Sequence, residues 1–124
     1  GVTRAAVESL AVASTLTLRE VELLSGELSA LAEPHRLLIL RHLRRGRRTV
    51  GFLARACGMT QPLTSHHLAV LLEAGLVTRE RRGAFTCYQA DTRKVQEVHR
   101  RLGRLAGAVG AVAEESAHRS SHPC

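Results

Sequence analysis

Residues 60–89 place the strongest constraint on how this chain can fold. The segment starts at Thr60, a residue type that caps helices, and its apolar side chains recur at helical spacing as far as Gly75. Glycine ends helices because it adopts a positive φ without strain. Two alternating runs, 76–81 and 85–90, follow and predict two strands joined at a tight turn. The segment therefore predicts one helix that leads into a hairpin with Arg82-Gly83 at its tip.

The rest of the chain predicts helices, the first of them weakly specified. These helices are expected at residues 4–15, 17–32, from Pro34 to Gly46, 49–57 and 92–114. Gly58 separates the helix over 49–57 from the one at Thr60, which is the helix-turn-helix arrangement. The predicted inward side chains include Leu37, Leu40 and Leu43 on one helix and Leu63, Leu68, Leu71 and Leu72 on another.

Length and composition favour one mainly helical domain. The chain has 124 residues and three aromatic side chains, so leucine, valine and alanine must fill the core. We expect a domain over residues 1–115 and a flexible tail at 116–124. The longest apolar run, 105–113, is too short to span a bilayer, and no signal peptide is recognisable, which predicts a cytoplasmic protein without membrane contact. The three cysteines are widely spaced, which disfavours a zinc ribbon and predicts free thiols.

Charge is distributed unevenly along the sequence. Residues 1–33 carry two basic and five acidic side chains, whereas residues 34–104 carry 15 basic and four acidic ones. The positive segment contains the predicted helix-turn-helix, and a basic surface beside such a motif suits the phosphate backbone of DNA. An Arg-rich surface that is merely solvated is the alternative, but it does not account for the clustering.

The last predicted helix carries a heptad-like seam. Valine and leucine recur from Val95 to Val112 at alternating intervals of three and four, and Gly103, Gly107 and Gly110 lie on or beside the seam. Small residues allow a close approach between helix backbones. We therefore expect this helix to pack on a partner copy, although it could instead face its own domain.

Three stretches of the chain resemble the ArsR/SmtB winged helix-turn-helix repressors. They are ALAEPHRLLILRHL at 30–43, QPLTSHHLAVLLEAGLV at 61–77 and RRGAFTCYQ at 81–89. The resemblance implies a mainly α fold with a small β-hairpin wing, dimerisation through the N- and C-terminal helices, and binding to an imperfect palindromic operator. It also implies repression that is relieved by an inducer, usually a metal ion or a thiophilic species.

The resemblance carries DNA-reading roles to seven positions. On the recognition helix these are Thr60, Gln61, Thr64, Ser65 and His66, of which the last four are expected to face outward; on the wing they are Arg81 and Arg82. Glutamine can pair with adenine through two hydrogen bonds, and hydroxyl groups suit bases or phosphates. Ala84 stands where the family usually has a basic residue after the wing glycine, so Arg79 must help to hold the backbone. For His66 and His67 the alternative is a pair of surface or capping histidines, and this alternative stays open for His67. His35 and His42 are expected to be ordinary helix residues.

The family's metal sites are poorly preserved. The thiol site would fall at Arg48, Thr49 and Val50, which contain no cysteine. On the last helix Asp91 remains, but Arg93, Arg104 and Gly107 replace the other ligands, and a guanidinium stays protonated. The remaining weak candidates are His99, His118, His122 and Cys124, whose donor types suit nickel or zinc ions.

Two functions follow from the sequence, and a third is disfavoured. The first is a homodimeric DNA-binding repressor that responds to a metal ion such as nickel or zinc, or to a partner protein. The alternative is an architectural DNA-binding protein that has no inducer. An enzyme is not expected, because no catalytic motif or nucleophile–base pair is recognisable.

Overall fold

The computed structural model describes residues 3–4 and 16–107. In this part of the chain the elements are α1 (Leu18–Leu31), α2 (Pro34–Leu43), β1 (Arg48–Thr49), α3 (Val50–Cys57), α4 (Gln61–Glu73), β2 (Val77–Arg82), β3 (Phe85–Ala90) and α5 (Thr92–Leu105). The predicted helix at 4–15 lies outside the described residues except for Arg4, and the tail at 116–124 lies outside them entirely. None of the helices described here is long and apolar enough to cross a membrane.

The strands form an antiparallel sheet in the order β1-β3-β2. The hairpin predicted from the alternating runs is present, with Val77 opposite Ala90 and Arg82 opposite Phe85. Its first strand begins and ends one residue later than predicted. The strand β1 was not predicted, because a two-residue strand leaves no alternation in the sequence. It pairs with β3 and connects α2 to α3 along the edge of the sheet.

The core lies where α1 to α5 meet the base of the hairpin. Its fully buried side chains include Leu24, Ile39, Leu53, Leu68, Leu71 and Leu76. Burying each such leucine or isoleucine contributes about 1.5–3 kcal/mol.

The predictions for two core leucines are wrong, because Leu37 and Leu63 are exposed. α2 turns Ile39 inward, and two helical steps carry Leu37 about 200° away from it. Leu63 precedes the buried Leu68 by five residues, which places it roughly 140° around α4.

The last helix is shorter than predicted. α5 ends at Leu105, and Gly107 has a φ of 76°, which breaks the helical path. The predicted continuation to 114 therefore fails at this glycine, and residues 108–114 lie outside the described part of the chain. Of the predicted seam, Val98 is buried, whereas Leu102 and Leu105 are exposed.

A buried carboxylate joins α1 to α5. Glu27 is only 6% exposed, and its two oxygens lie 2.7 Å from Lys94 Nζ and 2.9 Å from Arg101 Nη1. Arg101 also contacts Glu97 one turn away at 2.7 Å. Two cations compensate the desolvation of one carboxylate, which fixes the position of α5 against α1.

A second polar network joins α1, α2 and α4. Arg36 donates to the carbonyl oxygen of Ala30 at 2.6 Å, near the end of α1, and its Nη1 lies 3.0 Å from Nδ1 of His67 on α4. Glu33 caps α2 by accepting from the backbone N–H groups of His35 and Arg36. Because a guanidinium can only donate, Nδ1 of His67 must accept, and the imidazole is neutral with its proton on Nε2.

The surroundings of His67 favour this neutral form. Burial lowers the pKa of His67, as do the neighbouring charges of Arg36, His66 and His35, whereas Glu33 opposes the shift. Desolvation of Glu33 tends to raise its pKa, but hydrogen bonds from His35 and Arg36 outweigh it, so the pKa of Glu33 is lowered. The network is therefore complete only when His67 is neutral.

We predict that Glu27→Gln lowers the free energy of unfolding by about 1–3 kcal/mol, because a neutral amide leaves two cations without their shared carboxylate. Urea denaturation followed by circular dichroism measures the change. Glu22→Gln on the same helix is the matched control, since Glu22 is exposed. Equal stabilities of the two variants would contradict a structural role for Glu27.

We also predict that stability falls as the pH drops through the ordinary histidine range, about 6.5. With its folded-state pKa lowered, His67 binds its proton more readily in the unfolded chain, so acid favours unfolding. The free energy of unfolding should be smaller at about pH 5.5 than at about pH 7.5. It is measured with a chelator present, so that no metal ion competes with protons for the imidazole. His67→Gln should reduce that difference more than His42→Gln does, because His42 takes no part in the network with Arg36 and Glu33. An identical pH dependence in both variants would contradict the assignment.

Candidate nucleic-acid interface

The turn between α3 and α4 is fixed by one glycine and one threonine. Gly58 ends α3 with a φ of 68°, a conformation that suits glycine. Thr60 then caps α4 by accepting a hydrogen bond from the N–H of Leu63 at 3.2 Å, as predicted. The backbone N–H of Met59 donates to the carbonyl of Ala54 at 2.9 Å and tightens the turn. These contacts set where α4 begins and therefore which of its side chains face outward.

Three of the four recognition-helix residues that were expected to face outward do face solvent. Gln61, Ser65 and His66 are exposed on the first two turns of α4. They offer an amide, a hydroxyl and an imidazole, which together supply donors and acceptors suited to base edges.

Thr64 does not face outward, and the expectation that it does is wrong. Its side chain is fully buried, and its hydroxyl donates to the carbonyl oxygen of Thr60 at 2.8 Å. It lies on the inner face of α4 with Leu68 and Leu71, at helical spacings of four and three. Thr64 therefore helps to hold the first turn and presents no group to a groove.

The two adjacent histidines are separated by this helical register. His66 is exposed, whereas His67 is buried in the network with Arg36, and their ring centroids lie 5.5 Å apart. The structure thus places His67 in the interior and leaves only His66 on the outer face.

Arg55 is a further basic group beside the reading residues. The side-chain nitrogens of Gln61 and Arg55 both lie close to Gly51. A β-carbon added to this glycine would be 3.3 Å from Nε2 of Gln61 and 3.5 Å from Nη1 of Arg55. The two side chains therefore converge over this glycine, near the start of α4. The basic stretch predicted a positive surface but did not single out Arg55, because the contact depends on the angle between α3 and α4.

The wing presents arginines close to a glycine turn. Gly83 has a φ of 63°, and it forms the tip with Ala84. Arg81 and Arg82 are exposed at the end of β2, as expected, but Arg82 lies 3.2 Å from Glu80, which also contacts Arg47 at 3.5 Å. Arg81 donates to the carbonyl oxygen of Gly83 at 3.3 Å. The carboxylate of Glu80 therefore offsets part of the positive charge at the wing.

Of the weak metal candidates, the described part of the chain includes Asp91 and His99, and neither belongs to a cluster of potential ligands there. Asp91 caps α5 by accepting from the N–H of Lys94 at 3.1 Å, and His99 is exposed on that helix. His118, His122 and Cys124 lie outside the described residues. Cys87 is buried and Cys57 is partly buried, and burial raises the pKa of the Cys57 thiol.

The side chains that do converge were not among the predicted ligands. Glu33, His35 and His67 each offer a ligand atom within 4.8 Å of the other two. The sequence did not bring them together, because His67 on α4 is more than 30 residues away from Glu33 and His35 at the start of α2. The local sign in the sequence is Pro34, which favours the first turn of a helix and so indicates that a helix begins next to Glu33.

Known proteins share this arrangement of helices and strands. The sequence pattern described as bacterial regulatory protein, arsR family, matches residues 33–79, from the cap of α2 to the start of β2. The HTH-type transcriptional regulator NmtR of Mycobacterium tuberculosis is 49% identical over 61 residues, which are 49% of this chain and 51% of that protein. The nodulation protein NolR of Rhizobium meliloti is 35% identical over 91 residues, which are 73% of this chain and 72% of NolR.

A solved structure agrees with these matches. The solution structure of a homodimeric winged helix-turn-helix DNA-binding domain, from a possible ArsR-family regulator of Mycobacterium bovis, superposes with a TM-score of 0.58. It is 31% identical, and the match covers 76% of this chain and 86% of that one. The chain spans about half the length of NmtR but more than two thirds of NolR. On these matches and on its architecture, the chain belongs to the ArsR family of bacterial regulatory proteins and has the winged helix-turn-helix fold.

Proposed function

We propose that this protein is a homodimeric transcriptional repressor that binds a specific DNA operator through α4. The observation that carries the proposal is the division of α4 into two faces. Thr64 and His67 anchor one face in the interior, while Gln61 and His66 stand exposed on the other. A helix held in this way can enter a major groove without losing its own packing.

Each exposed group has a suitable partner on DNA. Gln61 fits adenine through two hydrogen bonds, and His66 can donate from a ring nitrogen to an acceptor on a base edge. Ser65 suits a base or a phosphate. In this proposal Thr60 acts through its cap and Thr64 through its buried hydrogen bond, so neither reads a base.

The arginines supply phosphate contacts. Arg81 and Arg82 would meet the backbone or the adjacent minor groove from the wing, and Arg55 would meet it beside the start of α4. Such contacts strengthen binding without reading sequence, and they make affinity fall steeply with salt.

An exposed apolar surface on α1 and α5 supports a homodimer. Among the described residues it comprises Leu18 and Leu23 on α1, with Leu102 and Leu105 on α5, and each is between 44% and 75% exposed. The Glu27 ion pairs hold these two helices together as one surface. A second copy packed there would present two α4 helices to a palindromic site, with half-sites about 34–36 Å apart.

The inducer is proposed to be a divalent metal ion such as nickel or zinc, in line with the resemblance to the family. The usual ligand positions on α5 are occupied by Arg93, Arg104 and Gly107, so the ion must bind elsewhere, or a partner protein must take its place. These substitutions also favour a second candidate, the architectural DNA-binding protein without an inducer. Footprinting distinguishes the two, because a repressor protects discrete half-sites and an architectural protein protects DNA uniformly. For either role we propose a cytoplasmic location and no catalytic activity.

We predict that Gln61→Ala and His66→Ala each weaken operator binding by about 1–3 kcal/mol while random DNA is bound as before. Arg81→Ala should weaken both, and should reduce the slope of log affinity against log salt by about 1. Fluorescence anisotropy on the operator and on a scrambled duplex measures both effects.

Thr64→Val is the matched control on the same helix. It removes the hydroxyl that binds Thr60, so stability should fall while the preference for the operator remains. Equal losses on operator and scrambled DNA for Gln61→Ala would contradict the proposed readout.

For the dimer, we predict that Leu102→Asp combined with Leu105→Asp shifts the protein to a monomer, because two carboxylates would have to be buried in the interface. Sedimentation equilibrium gives the mass. Phe85→Asp, which places the same charge on an exposed apolar residue of the wing, should remain dimeric. A wild-type protein that sediments as a monomer would contradict the proposal.

A further inference from the structure

Three potential metal ligands meet between α2 and α4. Nδ1 of His35 lies 3.2 Å from Oε1 of Glu33, and Nε2 of His67 lies 3.9 Å from Oε2 of the same carboxylate. The two imidazole rings are stacked, with centroids 5.7 Å apart and planes 20° from parallel. One carboxylate and two imidazoles therefore surround a common volume.

These donors match the needs of a borderline divalent ion. Two imidazoles and one carboxylate form a set that binds zinc while leaving one position open for water. Metal–ligand distances of about 2.0–2.2 Å place neighbouring ligand atoms roughly 3.4 Å apart. The two separations from the Glu33 carboxylate, 3.2 Å to His35 and 3.9 Å to His67, lie on either side of that value, and all three ligand atoms lie within 4.8 Å of one another. The His35 side chain is 43% exposed, which leaves it free to rotate into place.

The network with Arg36 opposes metal binding at His67. Nδ1 accepts a hydrogen bond from Arg36, so the proton of the neutral ring is on Nε2, the atom that faces Glu33. An ion on Nε2 requires the proton to move to Nδ1, with no net change in the number of protons on the ring. Nδ1 then becomes a donor, and Arg36 must move away from it.

We propose that Glu33, His35 and His67 form a binding site for a divalent transition-metal ion, and that the ion and the Arg36–His67 hydrogen bond exclude each other. Arg36 also donates to the carbonyl of Ala30, so its displacement loosens the contact between α1 and α4. His67 follows the exposed His66 on α4, and the ion therefore acts on the helix that is proposed to read DNA. This last step rests on the proposed function, whereas the site itself does not.

The first test measures Zn²⁺ binding to the 124-residue chain by competition with a chromophoric chelator. The wild type should bind one ion at this site per chain. His35→Gln and Glu33→Gln should each weaken that binding by at least about 10–100-fold, the loss expected even for an outer partner of a metal ligand. His42→Gln, on the same helix as His35, should bind as the wild type does. Because His35 and Glu33 are partly exposed, neither variant is expected to unfold.

A second variant distinguishes metal binding at this site from metal binding by the tail. The 124-residue chain with His118→Gln, His122→Gln and Cys124→Ser should retain the ion. Loss of all binding in this variant, with full binding in His35→Gln, would overturn the proposal.

The competition between Arg36 and the ion gives a test in which a substitution should strengthen metal binding. Arg36→Gln should bind Zn²⁺ severalfold more tightly, because the amide oxygen can accept from Nδ1 and the nearby positive charge is gone. Nitrogen NMR of the His67 ring should show the proton on Nε2 without metal and on Nδ1 with Zn²⁺. A proton that stays on Nε2 when the ion is bound would overturn the assignment of His67.

The coupling to DNA is tested last. Zn²⁺ should lower operator affinity by at least about fivefold in the wild type and have no effect in His35→Gln. Unchanged affinity with the ion bound would overturn the coupling. If the metal-free wild type does not bind the operator, the proposed function is overturned. The metal site is then still supported by the Zn²⁺-binding data.

Discussion

The hydrogen bond between Arg36 and His67 is the contact on which the arrangement of the three helices at the reading surface depends. Arg36 joins the end of α1 to the middle of α4, and Glu33 holds the start of α2 in the same network. Leucine packing alone specifies how deeply α4 is buried, but it is compatible with small rotations about the helix axis. A directional bond to one ring nitrogen restricts that rotation. Together with the capped turn at Thr60, this bond holds Gln61 and His66 on the outer face of α4.

Much of the fold could be predicted because its local signals are strong. Thr49 and Thr60 are N-caps, as their residue types indicate, and Gly58 and Gly75 end helices with positive φ values. The hairpin follows from alternation that is interrupted by a glycine. Such signals act within a few residues and need no knowledge of tertiary structure.

The errors arise where orientation depends on distant packing. Leu37 and Leu63 belong to helices in which more positions are apolar than one face can bury, so periodicity did not identify the inward residues. The resemblance predicts that Thr64 faces outward, but its hydroxyl donates to the backbone of Thr60 and its side chain packs in the interior. The cluster of Glu33, His35 and His67 could not be found from spacing, because it depends on how α2 and α4 cross.

The same network explains how a change at α2 could reach the reading surface without a long pathway. His67 and His66 are adjacent in sequence but face opposite environments, one buried and one exposed. An event that shifts the His67 ring together with the backbone that carries it also shifts Ser65 and His66 on the same turn of α4. Because interiors are close-packed, such a turn has few alternative positions, and a shift of the ring selects among them. A ligand at this cluster needs only to bind one of those positions more tightly in order to change operator affinity.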